Sequence, residues 1–234
     1  MKENNSFRRG ITHGLPICFG YLSVAFAFGI FAVKNGLSLA EALAISMTNV
    51  TSAGQLAAVP IIASGGTLIE LATTQLVINL RYALMSVSLS QKLGRSVTML
   101  DRFIIAFVNT DEVFAVAASN KCSVGRRYLY GLILTPYIGW SVGTLLGSAA
   151  GDILPQSVTS ALGLAIYGMF IAIVVPSMKR EKPTALCVIT AIVLGCMFKY
   201  VPFLKSVPQG FVIIICAVTA SALFAAIAPH EEGR

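Results

Sequence analysis

Six side chains able to hydrogen-bond, Ser46, Thr48, Asn49, Thr51, Ser52 and Gln55, stand inside the run Glu41 to Pro60, EALAISMTNVTSAGQLAAVP. The run is otherwise apolar and, at about 20 residues, long enough to cross a bilayer. Hydrocarbon cannot satisfy hydroxyls and carboxamides, so these groups must face a cavity or neighbouring helices. At helical spacing Glu41, Ile45, Thr48, Ser52 and Gln55 share one stripe. Gly54 and Pro60 are places where such a helix can bend or open and release backbone carbonyls and amides. Together these groups suit the ammonium and carboxylate of a small solute. Close helix packing, with hydroxyls bonded to the preceding turn, explains the same pattern with no solute.

Two further groups of residues carry charge. In the run Thr67 to Ser90, Gln75, Asn79, Tyr82 and Ser86 share a helical stripe and Arg81 adjoins it. A guanidinium forks a carboxylate and the Asn79 amide can complete the fork, whereas an interfacial Arg81 would simply snorkel to water. Gln91, Lys92 and Arg95 follow closely, as the second reading requires. In the run Leu100 to Ala118, Asn109, Thr110, Asp111 and Glu112 fall near the middle. Adjacent carboxyls at membrane depth either hold a proton or face water, which suits proton coupling or contact with an ammonium group. The alternative is a break between two half-helices at the surface, where the acids are merely solvated. The candidate substrate-binding set is therefore Ser46, Thr48, Asn49, Ser52, Gly54, Gln55, Asn79 and Arg81. Asp111 and Glu112 are the candidates for proton coupling.

The elements that must position these groups follow from composition. Of the 234 residues 56% are hydrophobic and 12% charged, and the mean hydropathy is +0.80. A water-facing surface needs roughly 25–35% charged residues, so most of this one faces lipid. Continuous apolar runs near 20 residues long predict an all-α, polytopic membrane protein with seven or eight hydrophobic segments and at least one broken helix. The whole chain, 1–234, reads as a single integral membrane domain. Ser38 and Glu41 form a capping box ahead of the second segment. Gly139, Gly143, Gly147 and Gly151 recur every four residues and predict a tight helix crossing, within the bundle or with a partner helix.

A shift of about 117 residues brings Gly14 and Leu15 onto Gly131 and Leu132, and Thr67 onto Thr184. Two degenerate repeat halves, 10–125 and 126–234, would account for that echo. Eight spans with the N-terminus inside put Lys92, Arg95 and Arg102 on the far side from Lys121, Arg126 and Arg127, a weak bias toward positive-inside. Seven spans, with Leu100 to Ala118 not crossing and the N-terminus outside, give a similar bias.

The net charge of +7 sits mainly in connections between apolar runs, where it meets lipid headgroups, and no basic stripe with interleaved aromatics points to nucleic acid. Five isolated cysteines and two near-terminal histidines form no metal-ligand spacing and no disulfide framework. No nucleophile–base pair is visible, so an enzyme is not expected, nor is a cofactor.

From GLPICFGYLSVAFAFG onward the chain resembles the AzlC family of bacterial branched-chain amino acid permeases. The resemblance is carried by TSAGQLAAVP, NLRYALMS and NTDEVFA, most specifically by Ala53, Gly54, Gln55, Asn79, Leu80, Arg81, Asp111 and Glu112. It implies the large subunit of an exporter of valine, leucine, isoleucine and their analogues in the bacterial cell membrane, working with a small membrane partner of the AzlD type. It fixes no coupling residues. A non-transporting scaffold docking through the glycine ladder, or an inorganic-ion transporter, stands as the alternative.

Overall fold

The computed structural model describes residues 4–151, 171, 174–176, 178–179 and 181–227. Its helices are α1 (Phe7–Lys34), α2 (Leu39–Thr48), α3 (Ser52–Ala63), α4 (Leu68–Ser90), α5 (Met99–Phe107), α6 (Asp111–Ala118), α7 (Arg126–Ala150), α8 (Lys182–Tyr200) and α9 (Gln209–Ile227). A short 3-10 turn, Pro202–Ser206, precedes α9. The chain divides into two compact units, one of residues 1–59 and 79–163, the other of 60–78 and 164–234.

The first unit is built on α1 and α7. Their glycines let the two backbones touch: a Cβ added at Gly139, Gly143 or Gly147 would lie 2.5, 2.5 and 2.0 Å from the carbonyl oxygens of Cys18, Leu22 and Phe26. On the other side a Cβ added at Gly10 would collide with the Tyr128 carbonyl, and one added at Gly29 would lie 2.5 Å from the Thr144 carbonyl. Contacts advance together along both helices, so α1 and α7 run parallel. The glycine ladder is thus a packing surface inside the bundle, occupied by α1, and is not open to a partner helix.

The two helices supply a ruler for the rest of the unit. At the end where they begin, Gly94 donates to the Val124 carbonyl, Val124 to that of Lys92, and Gly125 to that of Asn4. There α4 finishes. From the same end α5 enters, its Asp101 held by the Tyr130 hydroxyl at 2.7 Å, and climbs beside α7 until Phe107 lies near Tyr137, ring centroids 6.4 Å apart. The chain then turns back. Glu112 at the start of α6 meets Tyr21, and beyond its end Asn120 donates to Tyr128 at 3.1 Å and accepts from Asn4 at 3.0 Å.

From the opposite end α2 descends along α7, its Ser46 against Thr144 at 2.6 Å and its Met47 carbonyl accepting from Tyr137. Here too the chain turns back, for Val59 of α3 is buried in one cluster with Phe28, Ala32, Leu37 and Ala42. Two helix pairs therefore enter from opposite ends and return the way they came.

That arrangement corrects the expected seven or eight spans. Among the described residues four helices are long and apolar enough to cross a membrane: Phe7–Lys34, Arg126–Ala150, Lys182–Tyr200 and Gly210–Ile227. The runs 41–60 and 100–118 are hairpins of short helices, not rods, because each carries polar residues at its centre that end one helix and start another. With its hydroxyls, amides and Arg81, the 23-residue α4 has the length but not the apolarity. The run 158–175 lies largely outside the described residues. Lys92, Arg95 and Arg102 also move: they share an end with Lys121, Arg126 and Arg127, because 100–118 returns instead of crossing.

Both predicted and unpredicted caps hold these short helices. Ser38 and Glu41 form the expected box on α2, and Thr98 with Asp101 forms another on α5. In the second unit α8 and α9 pack together, and Glu70 is buried with its Oε1 accepting from the Gly210 amide at 2.8 Å. That amide is one of the unpaired donors of the first turn of α9, and a carboxylate there also meets the positive end of the helix. Glu70→Ala is expected to lower stability by about 1–3 kcal/mol, and Glu70→Gln by less, read from thermal unfolding in detergent.

Candidate functional site

The turning points of the two hairpins have the same local build. At the first, α2 ends as the Asn49 amide bonds to Ile45, the Thr51 amide reaches back to the Asn49 carbonyl at 2.8 Å, and α3 opens with Gln55 on the Thr51 carbonyl. At the second, Thr110 donates to the Val108 carbonyl at 3.0 Å, then caps α6 by accepting from the Val113 amide. Each tip thus folds on a threonine that starts the outgoing helix. Thr51, Asn109 and Thr110 are all buried.

The tips meet around a cavity of about 130 Å³, lined by Thr48, Asn49, Val50, Thr51, Asn79, Tyr82, Ala106, Phe107 and Asn109. A void of about 150 Å³ holds one benzene, so this one suits a single small solute. Two helix N-termini, of α3 and α6, and two C-termini, of α2 and α5, converge here, offering partial charge of both signs. The last turns of α4 tie the tips together: Tyr82 donates to the Thr51 hydroxyl at 3.2 Å, and Asn109 donates to Ser86 at 3.2 Å.

Charge lies beside the cavity. Arg81 donates to the Tyr82 hydroxyl at 3.0 Å and pairs with Asp111 at 2.8 Å. Both charged side chains are about half exposed, 52% and 46%. Glu112 takes a different partner, the hydroxyl of Tyr21, whose ring stands edge-on to Trp140 at 5.0 Å. Arg81 therefore pairs beside the tips with about half its side chain exposed, and does not reach toward the end of α4.

Of the residues singled out from sequence, Thr48, Asn49 and Asn79 line the cavity and Arg81 and Asp111 flank it. Ser46 does not join them; it is buried against Thr144 and Trp140. Ser52, Gly54 and Gln55 sit in the first turn of α3 outside the lining, and Gln55 is fully buried with neither amide atom hydrogen-bonded among the described residues. The helix breaks at Asn49–Thr51, not at Gly54 or Pro60, both of which are helical. The candidate set drawn from sequence omits Thr51, Tyr82 and Asn109, each of which stands in a polar stretch already named, and Tyr21. For Thr51 and Asn109 the signal is the pair of motifs Asn-Val-Thr and Val-Asn-Thr, each followed by a helix-compatible run. Among the described residues no group of three His, Cys, Asp or Glu can hold a metal.

Among the described residues, two hairpins of short helices around a polar cavity stand beside four helices of membrane length and apolarity, as in a multi-pass membrane protein of the permease type. The family profile described as AzlC protein matches residues 16–154, and the chain belongs to the AzlC family. An uncharacterized membrane protein of Archaeoglobus fulgidus is 34% identical over 189 residues, covering 79% of this chain and 82% of the relative. Inner membrane protein YgaZ of Escherichia coli is 29% identical over 235 residues, covering 97% and 93%. An uncharacterized membrane protein of Helicobacter pylori is 24% identical, covering 82% and 86%. No solved structure matches the chain.

Proposed function

We propose that the protein exports branched-chain amino acids, valine, leucine, isoleucine and their analogues, across the bacterial cell membrane as the large subunit of a two-component permease. The observation that carries the reading is the small cavity between two helix breaks, whose lining combines apolar Val50, Ala106 and Phe107 with the polar groups of Asn49, Asn79 and Asn109. The apolar groups take an aliphatic side chain while amides and helix ends take the polar head. Each hairpin is a gate. Releasing Asn109 from Ser86 opens the cavity toward the end where α1 begins, and releasing Thr51 from Tyr82 opens it toward the other. Asp111 or Glu112 carries a coupling proton, and a small membrane subunit of the AzlD type completes the permease.

Orientation follows from charge. In the first unit the end where α1 and α7 begin carries Arg8, Arg9, Lys92, Arg95, Arg102, Lys121, Arg126 and Arg127, against Lys34 alone at the other end among the described residues. By the positive-inside rule the basic end is cytoplasmic and the α5–α6 hairpin is the inner gate. In a variant keeping only Cys122, which is exposed at that end, a membrane-impermeant maleimide is expected to label the thiol in inside-out vesicles and not in right-side-out ones. The reverse labelling would invert both gates.

The test of function is efflux of labelled leucine from loaded vesicles containing the protein and its partner subunit. Asn49→Ala and Asn109→Ala are each expected to reduce efflux about tenfold or more, since each strips the cavity of an amide with no substitute. Wild-type rates from both variants would remove this cavity from the transport path.

A further inference from the structure

We infer that the Arg81–Asp111 ion pair is a placeholder for a zwitterion: an arriving amino acid opens it, Arg81 taking the carboxylate and Asp111 the ammonium. This rests on the amino-acid reading above and names how the polar head is chosen. The pair is placed for the exchange. Arg81 reaches the cavity through the Tyr82 hydroxyl, 3.0 Å from its Nη2, and that hydroxyl also holds Thr51 of the first tip. Asp111 follows Asn109 and Thr110 of the second tip directly in the chain. The two partners are thus tied to different tips and flank the same small chamber. Both side chains are about half exposed, so neither is sealed by packing, and a ligand can reach between them.

The chemistry of replacement selects the ligand. A ligand seated between the two half-exposed side chains displaces water from both, so it must compensate both charges to bind well. A zwitterion does so, because its carboxylate matches the guanidinium fork and its ammonium replaces the guanidinium at the carboxylate. A primary amine or a carboxylic acid of the same aliphatic shape compensates one and strands the other. Glu112, bonded to Tyr21, is left outside the exchange and available for the coupling proton.

The experiment compares three competitors of labelled-leucine transport in vesicles with the partner subunit present: leucine, 3-methylbutylamine and 4-methylpentanoate. In the wild type the amine and the acid are each expected to compete about tenfold more weakly than leucine, or worse. Asp111→Asn should weaken leucine about tenfold and bring the acid level with it; Arg81→Gln should do the same for the amine. A pair with only a structural role would weaken all three compounds alike, and that result overturns the inference, as does equal competition in the wild type. The wild-type comparison needs no variant and stands even where one fails to fold. If the wild type moves no labelled leucine, the amino-acid reading fails and takes this one with it; leucine transport without the selectivity pattern sinks this one alone.

Discussion

A mercuric bridge between Ser86→Cys and Asn109→Cys, in a background lacking the five native cysteines, is expected to reduce leucine efflux from the double variant's own untreated rate, already lowered by loss of the Asn109 amide, to near background and to be reversed by excess dithiothreitol. The native side chains meet at 3.2 Å, so the two thiols lie close enough to share one ion. Asn109 sits at the tip of the α5–α6 hairpin and Ser86 on α4, and in the gating proposed above the bond between them is the tie that must break for the inner gate to open. One neutral hydrogen bond contributes only about 0.5–1.5 kcal/mol net, which thermal motion overcomes readily; two mercury–sulfur bonds are not broken on the same timescale. Each single-cysteine variant with mercury should retain its own untreated rate. Undiminished efflux from a double variant whose mercury adduct is verified by mass would mean that the second tip stays closed throughout transport.

Glycine substitutions on α1 and α7 are expected to split sharply by position. Gly147→Leu should yield no folded protein, and Gly147→Ala should cost about 3 kcal/mol, because even a methyl group would sit 2.0 Å from the Phe26 carbonyl, a backbone atom that cannot turn aside. Gly20→Ala, on α1 with no atom within 4 Å of the new methyl, should gain about 0.5–1 kcal/mol from helix propensity alone. Thermal unfolding in detergent, with monodispersity by size exclusion, separates the two. A tolerated Gly147→Leu would mean that α1 and α7 are not in backbone contact. Loss of transport with Gly143→Leu or Gly147→Leu would therefore report folding and does not separate a transporter from a docking scaffold.

The sequence made the class of the protein and most of its helices legible, because apolar run length and capping chemistry are local signals. Ser38 with Glu41, and the glycines of α7, are read directly from residue type and spacing. What spacing alone did not reveal was direction. A run of 20 apolar residues interrupted by Asn49 and Thr51 has the same composition whether it passes through or turns back, and only the partners of Ser46 and Val59 at the same end settle it. The candidate site was half legible for the same reason. Treating 41–60 as one helix put Ser52 and Gln55 on a stripe with Thr48, but a turn at Asn49–Thr51 resets the stripe, so Gln55 leaves the chamber. Tyr82 and Asn109 enter it from segments far apart in sequence, a meeting that no periodicity records.

The chain holds one tryptophan. Trp140 is 1% exposed, its indole N–H donates to the Ser46 carbonyl at 3.1 Å, and its ring abuts Tyr21, the partner of Glu112. It therefore touches the incoming arm of one hairpin directly and the outgoing arm of the other through a single phenol. Its emission is a built-in optical reporter for this region: a shift in wavelength or quenching on adding a solute would register movement of either hairpin in the unlabelled protein.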